Sequence, residues 1–84
     1  MLLTIVAPWG NVCKTTVESV TLPSVEGSFT VLHSHAPIIA QLRDGDVTYV
    51  EESGNENRVT IKSGFVRVVN DNVEVCVEME NPEQ

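Results

Sequence analysis

Near the C-terminus four apolar side chains, Val73, Val75, Val77 and Met79, alternate with Glu74, Cys76, Glu78 and Glu80. A period of two places successive side chains on opposite faces of an extended strand, one face buried and the other in water. The same alternation recurs in Arg58-Val59-Thr60-Ile61-Lys62, and Gly64-Phe65-Val66-Arg67-Val68-Val69 follows after a Ser-Gly break. Between Val69 and Val73 lies Asn70-Asp71-Asn72, whose residues tolerate left-handed backbone and predict a tight hairpin. Val47-Thr48-Tyr49-Val50 is bounded by Asp44-Gly45-Asp46 and by Ser53-Gly54-Asn55-Glu56-Asn57, so turn chemistry closes a further strand at both ends. No window of helical length carries apolar residues at the spacing of a buried helix face.

The longest candidate strand, Val12 to Leu22, has Val17 on one phase and Val20 and Leu22 on the other. A change of phase within one strand predicts a β-bulge, and a bulged strand can serve two packed layers. With 84 residues there is room for one core. The predicted fold is all-β, a small antiparallel β-sandwich of short strands occupying residues 1–80, with Asn81-Pro82-Glu83-Gln84 as a loose tail.

Five Lys and Arg stand against twelve Asp and Glu, a formal charge of -7. Such a field repels phosphate backbones and anionic headgroups, which argues against nucleic acid as a partner and against unaided membrane binding. The opening Met1-Leu2-Leu3-Thr4-Ile5-Val6-Ala7-Pro8 lacks a cationic start, and its apolar run stops at Pro8. It predicts a cytosolic N-terminus with no direct membrane insertion, so that any membrane location depends on another protein. Cys13 and Cys76 form no CxxC pair and are expected as free thiols, buried or half-buried.

Candidate chemistry is sparse. His33-Ser34-His35 would point two imidazoles to one face if it were strand, and Gly27 to His35 fits the opening G-x5-H-x-H of the metal-binding cupin motif. Ala36 to Gln41 supplies no carboxylate ligand, and the chain has no third histidine. A small cupin-like metal-binding protein using His33 and His35 is therefore the alternative function, against histidines that simply shape a loop before Pro37. Glu74, Glu78 and Glu80 lie on the polar phase of a strand, where solvation explains them. Ser19, Ser24, Ser28 and Ser34 have no nucleophile turn around them, and Lys14 points away from Cys13. Lys62 resembles the modified lysine of a lipoyl or biotinyl carrier only in its setting, since its neighbours read as strand. No catalytic residue, metal ligand or cofactor site is predicted, and the loop-rich stretch Val17 to Ala40 favours function by surface contact.

The run Val17-Glu18-Ser19-Val20-Thr21-Leu22-Pro23-Ser24-Val25-Glu26-Gly27, with Phe29-Thr30-Val31-Leu32-His33-Ser34-His35-Ala36-Pro37-Ile38, resembles the epsilon subunit family of the F-type ATP synthase. Ser63-Gly64-Phe65-Val66-Arg67-Val68 is similar to the family's Ser-Gly-Gly-Phe-Val-Glu-Val strand, and Leu3-Thr4-Ile5-Val6-Ala7-Pro8-Trp9-Gly10 to its opening Leu-x-Ile-Val-Thr-Pro-x-Gly. The likeness runs in order over residues 1 to 80. Ser24 stands for a usual Gly, His33-Ser34 for a usual Pro-Gly, and Ser63-Gly64 carries one glycine fewer.

The resemblance implies a sandwich of about ten short strands riding on the central rotor. It implies a non-catalytic subunit that couples ion-driven c-ring rotation to ATP synthesis at the cytoplasmic face of the bacterial inner membrane. By position, Glu26, Gly27 and Ser28 would face the c-ring, and Ala7, Val12, His35, Ile39 and Ala40 would lie toward the gamma subunit. An acidic loop suits that place, because c-ring loops of the family often present a basic residue. Most epsilon subunits continue into an α-helical hairpin that binds ATP or blocks rotation. That hairpin is absent before Gln84, so neither ATP binding nor that inhibition is expected of these residues.

Overall fold

In the computed structural model, which describes residues 1–80, a single strand organises the rest. The chain forms β1 (Leu2–Ala7), β2 (Gly10–Ser24), β3 (Gly27–Val31), β4 (Ile38–Leu42), β5 (Gly45–Glu51), β6 (Glu56–Ile61), β7 (Ser63–Val69) and β8 (Asn72–Glu78). The first half of β2 pairs antiparallel with β1, from Leu2↔Thr16 to Ala7↔Gly10. Its second half pairs with β3 on one side and β5 on the other. Two layers result, β2-β1-β8-β7-β4 and β3-β2-β5-β6, joined through β2 and by the single pair Ser24↔Leu42 between β2 and β4.

The predicted bulge is present. Register against β5 shifts between Val17 and Ser19, and this brings Val17, Val20 and Leu22 all inside despite their opposite phases. Layer one contributes Leu3, Ile5, Val66, Val68, Val73, Val75 and Val77 to the interior; layer two adds Val31, Val47, Tyr49 and Ile61. Burying each Leu or Ile of this set is worth roughly 1.5–3 kcal/mol. The Asn70-Asp71 turn also forms as its residue types dictate. Both residues have positive φ, 51° and 63°, the type I′ geometry that matches strand twist, and Val69 and Asn72 pair directly across it.

Two expectations are corrected. Eight strands are found among the described residues instead of about ten, in part because β2 runs 15 residues through its bend without interruption. The sandwich is also not wholly antiparallel: β1 and β8 pair in parallel from Leu2↔Asn72 to Val6↔Cys76. The tail proposed for residues 81–84 lies outside the described residues.

Gly64 shows what the surviving glycine of the Ser-Gly break is for. A Cβ at this position would run into the Cys76 carbonyl oxygen and lie 3.1 Å from Val77 Cα. Only glycine lets β7 approach β8 this closely at the start of their ladder.

Candidate interaction surface

The β2–β3 hairpin closes on the pair Ser24↔Gly27, leaving Val25 and Glu26 at the tip. Buried Ser24 accepts the Glu26 N–H through Oγ at 3.1 Å, and Gly27 takes a φ of 125° that suits only glycine. Glu26, Gly27 and Ser28 are consequently exposed on a stiff tip. Val25 N–H donates to Gln41 C=O at 3.0 Å and Arg43 N–H to Pro23 C=O at 2.9 Å, which ties the tip to β4.

Beside the tip, the outer face of layer one is apolar. Gln41, Phe65, Cys76 and Val6 sit in register on β4, β7, β8 and β1. Phe65 is 59% exposed, and Ile39, diagonally across from it, is 75% exposed. A groove of about 430 Å³ lies on this face, lined by residues that include Val6, Pro8, Phe65, Val77 and Glu78. The next row, Ile39-Arg67-Glu74-Thr4-Lys14, is polar beyond Ile39, with Arg67 3.5 Å from Glu74. A charged border beside an apolar field is the layout of a docking face.

Of the residues assigned to the gamma side, Ile39 lies on this face. Ala40 and Val12 are half-buried and pack against the core, while Ala7 is turned inward at 4% exposure. The neighbouring Val6, not Ala7, faces outward there. His35 is half-buried in the loop before β4; its N–H donates to Leu32 C=O at 3.2 Å and its Nδ1 lies 2.6 Å from Ala36 O. Phe65 and Cys76 were not singled out by the sequence, although Phe65 shares its strand phase with Arg67.

The two histidines do not share a strand face. β3 ends at Val31, Ser34 takes a φ of 62°, and the segment is loop. His33 Nδ1 instead lies 3.4 Å from Asp71 Oδ2, and the Met1 ammonium lies 3.5 Å from the same oxygen. Among the described residues no group of three or more His, Cys, Asp or Glu is placed to hold a metal ion. Partial burial pushes the Asp71 carboxyl up. The Met1 ammonium, His33 and the hydrogen bonds it accepts outweigh that and hold it below its ordinary value.

Cys13 and Cys76 are both free thiols, but Cys76 is exposed on the outer face and not buried as expected. Cys13 donates to the Tyr49 hydroxyl at 3.4 Å. Where the phenol instead donates its O–H to an ionised Cys13 sulfur, that bond, with burial and the negative charges of the thiolate and Glu51, pushes the Tyr49 phenol up to about 12. Lys62 sits in the bend between β6 and β7, which pair with different neighbours, so it is not at a hairpin tip. No helix among the described residues is long and apolar enough to cross a membrane.

Fold and surface define a class of small two-layer β-sandwiches that present an apolar sheet face beside an acidic hairpin tip. The family described as ATP synthase, delta/epsilon chain, β-sandwich domain matches residues 1–80, and the chain belongs to that family. It is 35% identical over 78 residues to an ATP synthase epsilon chain of Paracoccus denitrificans, covering 93% of this chain and 53% of the relative. It is 41% identical over 68 residues to that of a Sulfurovum species, covering 81% of this chain and 53% of the relative. The chain thus spans about half the length of these relatives.

Among solved structures, a chain of the Euglena gracilis mitochondrial ATP synthase, in a structure of its OSCP, F1 and c-ring, is similar with a TM-score of 0.86 and 26% identity. The match covers 94% of this chain and 51% of that one. A chain of the Tetrahymena thermophila central stalk and c-ring shares the fold at a TM-score of 0.79 and 16% identity, with 94% and 63% covered.

Proposed function

We propose that the chain is a non-catalytic rotor subunit of an F-type ATP synthase, docking on the gamma subunit and on the c-ring to couple ion-driven rotation to ATP synthesis. The observation that carries this reading is the exposed apolar face around Ile39 and Phe65. A soluble sandwich with a net charge of -7 has no reason to leave a phenylalanine and an isoleucine in water unless a partner covers them. Glu26 at the tip supplies an opposite charge for a basic c-ring loop, which fixes orientation more than it adds affinity. Through these contacts the subunit is held at the cytoplasmic face of the membrane without inserting.

Co-expression with cognate gamma and c subunits tests the proposal. The expected result is a complex that survives purification and is lost on Phe65→Asp. Failure of the parent chain to associate with either subunit would overturn it. Within this reading, Ile39 with Phe65 and Val6 forms the gamma-facing surface, and Glu26, Gly27 and Ser28 form the c-ring contact. Of the other residues placed toward gamma, Ala40 and Val12 pack on the core, and His35 lies in the loop before β4.

A further inference from the structure

β4 is the edge of layer one, and its side away from β7, paired with β2 only at Leu42, faces the edge strand β3 across a groove of about 560 Å³. Backbone groups of an extended strand alternate between its two sides. Gln41 C=O accepts from Val25, and Arg43 N–H donates to Pro23, so the odd-numbered residues of β4 aim their backbone into the groove. Ile38, Ala40 and Leu42 serve the ladder with β7. The Ile39 N–H, the Ile39 C=O and the Gln41 N–H therefore face the groove. Among the described residues, no backbone bond outside the strand ladders reaches them.

Sheets usually blunt such an edge with charge, proline or a bulge. The edge strand β6 carries Glu56 and Arg58, whereas β4 reads Ile-Ile-Ala-Gln-Leu and pairs with β7 without a register shift. Phe29 on β3 and Ile38 and Ala40 on β4 are only partly covered, although they pack on the core. A free edge, an apolar lining and no gatekeeping charge together form the receiving half of a strand pair. Glu26, exposed at the mouth of the groove, is the one charge that lines it.

We propose that the β3–β4 groove is a strand-addition site. An extended segment of the gamma-type partner, continuing from the Ile39 and Phe65 face, pairs with β4 through Ile39 and Gln41 and covers Phe29 with an apolar side chain, leaving Glu26 to the c-ring loop. The identity of the partner rests on the rotor-subunit reading; the pairing rests on the groove itself.

Amide hydrogen exchange of this chain, alone and bound to cognate gamma subunit, tests it. The Ile39 and Gln41 amides should exchange fast in the free chain, unlike those of Ile38 and Ala40, and slow by about a hundredfold or more on binding. Ile39→Pro removes a donor that β7 does not use, and should weaken association by about tenfold while the thermal transition of the free chain persists. A complex that forms without slowing Ile39 exchange would overturn the strand addition and leave the rotor reading standing. Absence of any complex would overturn both. Protection of Ile39 that grows with concentration in the free chain would assign the groove to a second copy and also overturn the proposal.

Discussion

The Cys13 thiol donates to the Tyr49 hydroxyl at 3.4 Å, joining the first half of β2 to β5. The bond gives the only tyrosine of the chain an ionisation set by the fold. Tyr49 should titrate near pH 12 in the folded protein, against 10.0 for an ordinary phenol. Because the folded value is the higher one, this contribution to stability is complete below pH 10.0 and is lost as pH rises toward about 12. Ultraviolet titration of tyrosinate measures it directly. Cys13→Ala should lower the midpoint, and an unchanged midpoint would remove the hydrogen bond as its main cause.

Gly64 has no room for a side chain against the Cys76 carbonyl. Gly64→Ala should destabilise by about 1–3 kcal/mol, the range for forcing extra volume into a packed site. Urea unfolding reads this as a lower midpoint at an unchanged slope.

Asp71 gathers the Met1 ammonium and His33 on one carboxylate. Its folded value lies below the unfolded one, so the stabilisation is present above the unfolded value and is lost as pH falls through the folded one. Asp71→Asn keeps a residue that accepts the positive φ of the turn while deleting the charge. Thermal unfolding across acidic pH should show a shallower acid-side fall in Tm for this variant than for the parent. Parallel curves would show that the carboxylate does not matter to the fold.

Phe65 separates stability from docking because it is exposed in the free chain. Phe65→Asp should change unfolding free energy by no more than about 0.5 kcal/mol, as surface changes usually do. Retention of gamma on an affinity column should nevertheless be lost. Glu26→Lys should instead preserve gamma binding and weaken the c-ring contact, most visibly at low salt.

Much of the fold was legible because its signals are local. Val73, Val75 and Val77 declare their buried face by alternation alone, and the phase slip between Val17 and Val20 marks the bulge in which both turn inward. The parallel pairing of β1 with β8 has no local signature, since residues some seventy apart in sequence meet only when the layers close. Phe65 was ambiguous for a related reason. In Phe65-Val66-Arg67-Val68-Val69 both phases carry apolar residues, and only the assembled sheet shows that Val66 and Val68 face inward while Phe65 shares its side with Arg67. His33 and His35 invited a shared face that exists only in a strand, and the positive φ of Ser34 takes them out of one. Ala7 keeps its place in the motif while its methyl points into the core, and only the assembled sheet shows that Val6 is the residue facing outward there.

The unbroken run of β2 through both layers has a mechanical meaning. A tug on the Glu26 tip acts lengthwise on the ladders that β2 makes with β1 and with β5, so their hydrogen bonds share the load instead of parting one after another. The same strand crosses from one layer to the other, so a pull at the tip reaches the far layer through covalent backbone. A small sandwich built in this way resists shear along the length of β2.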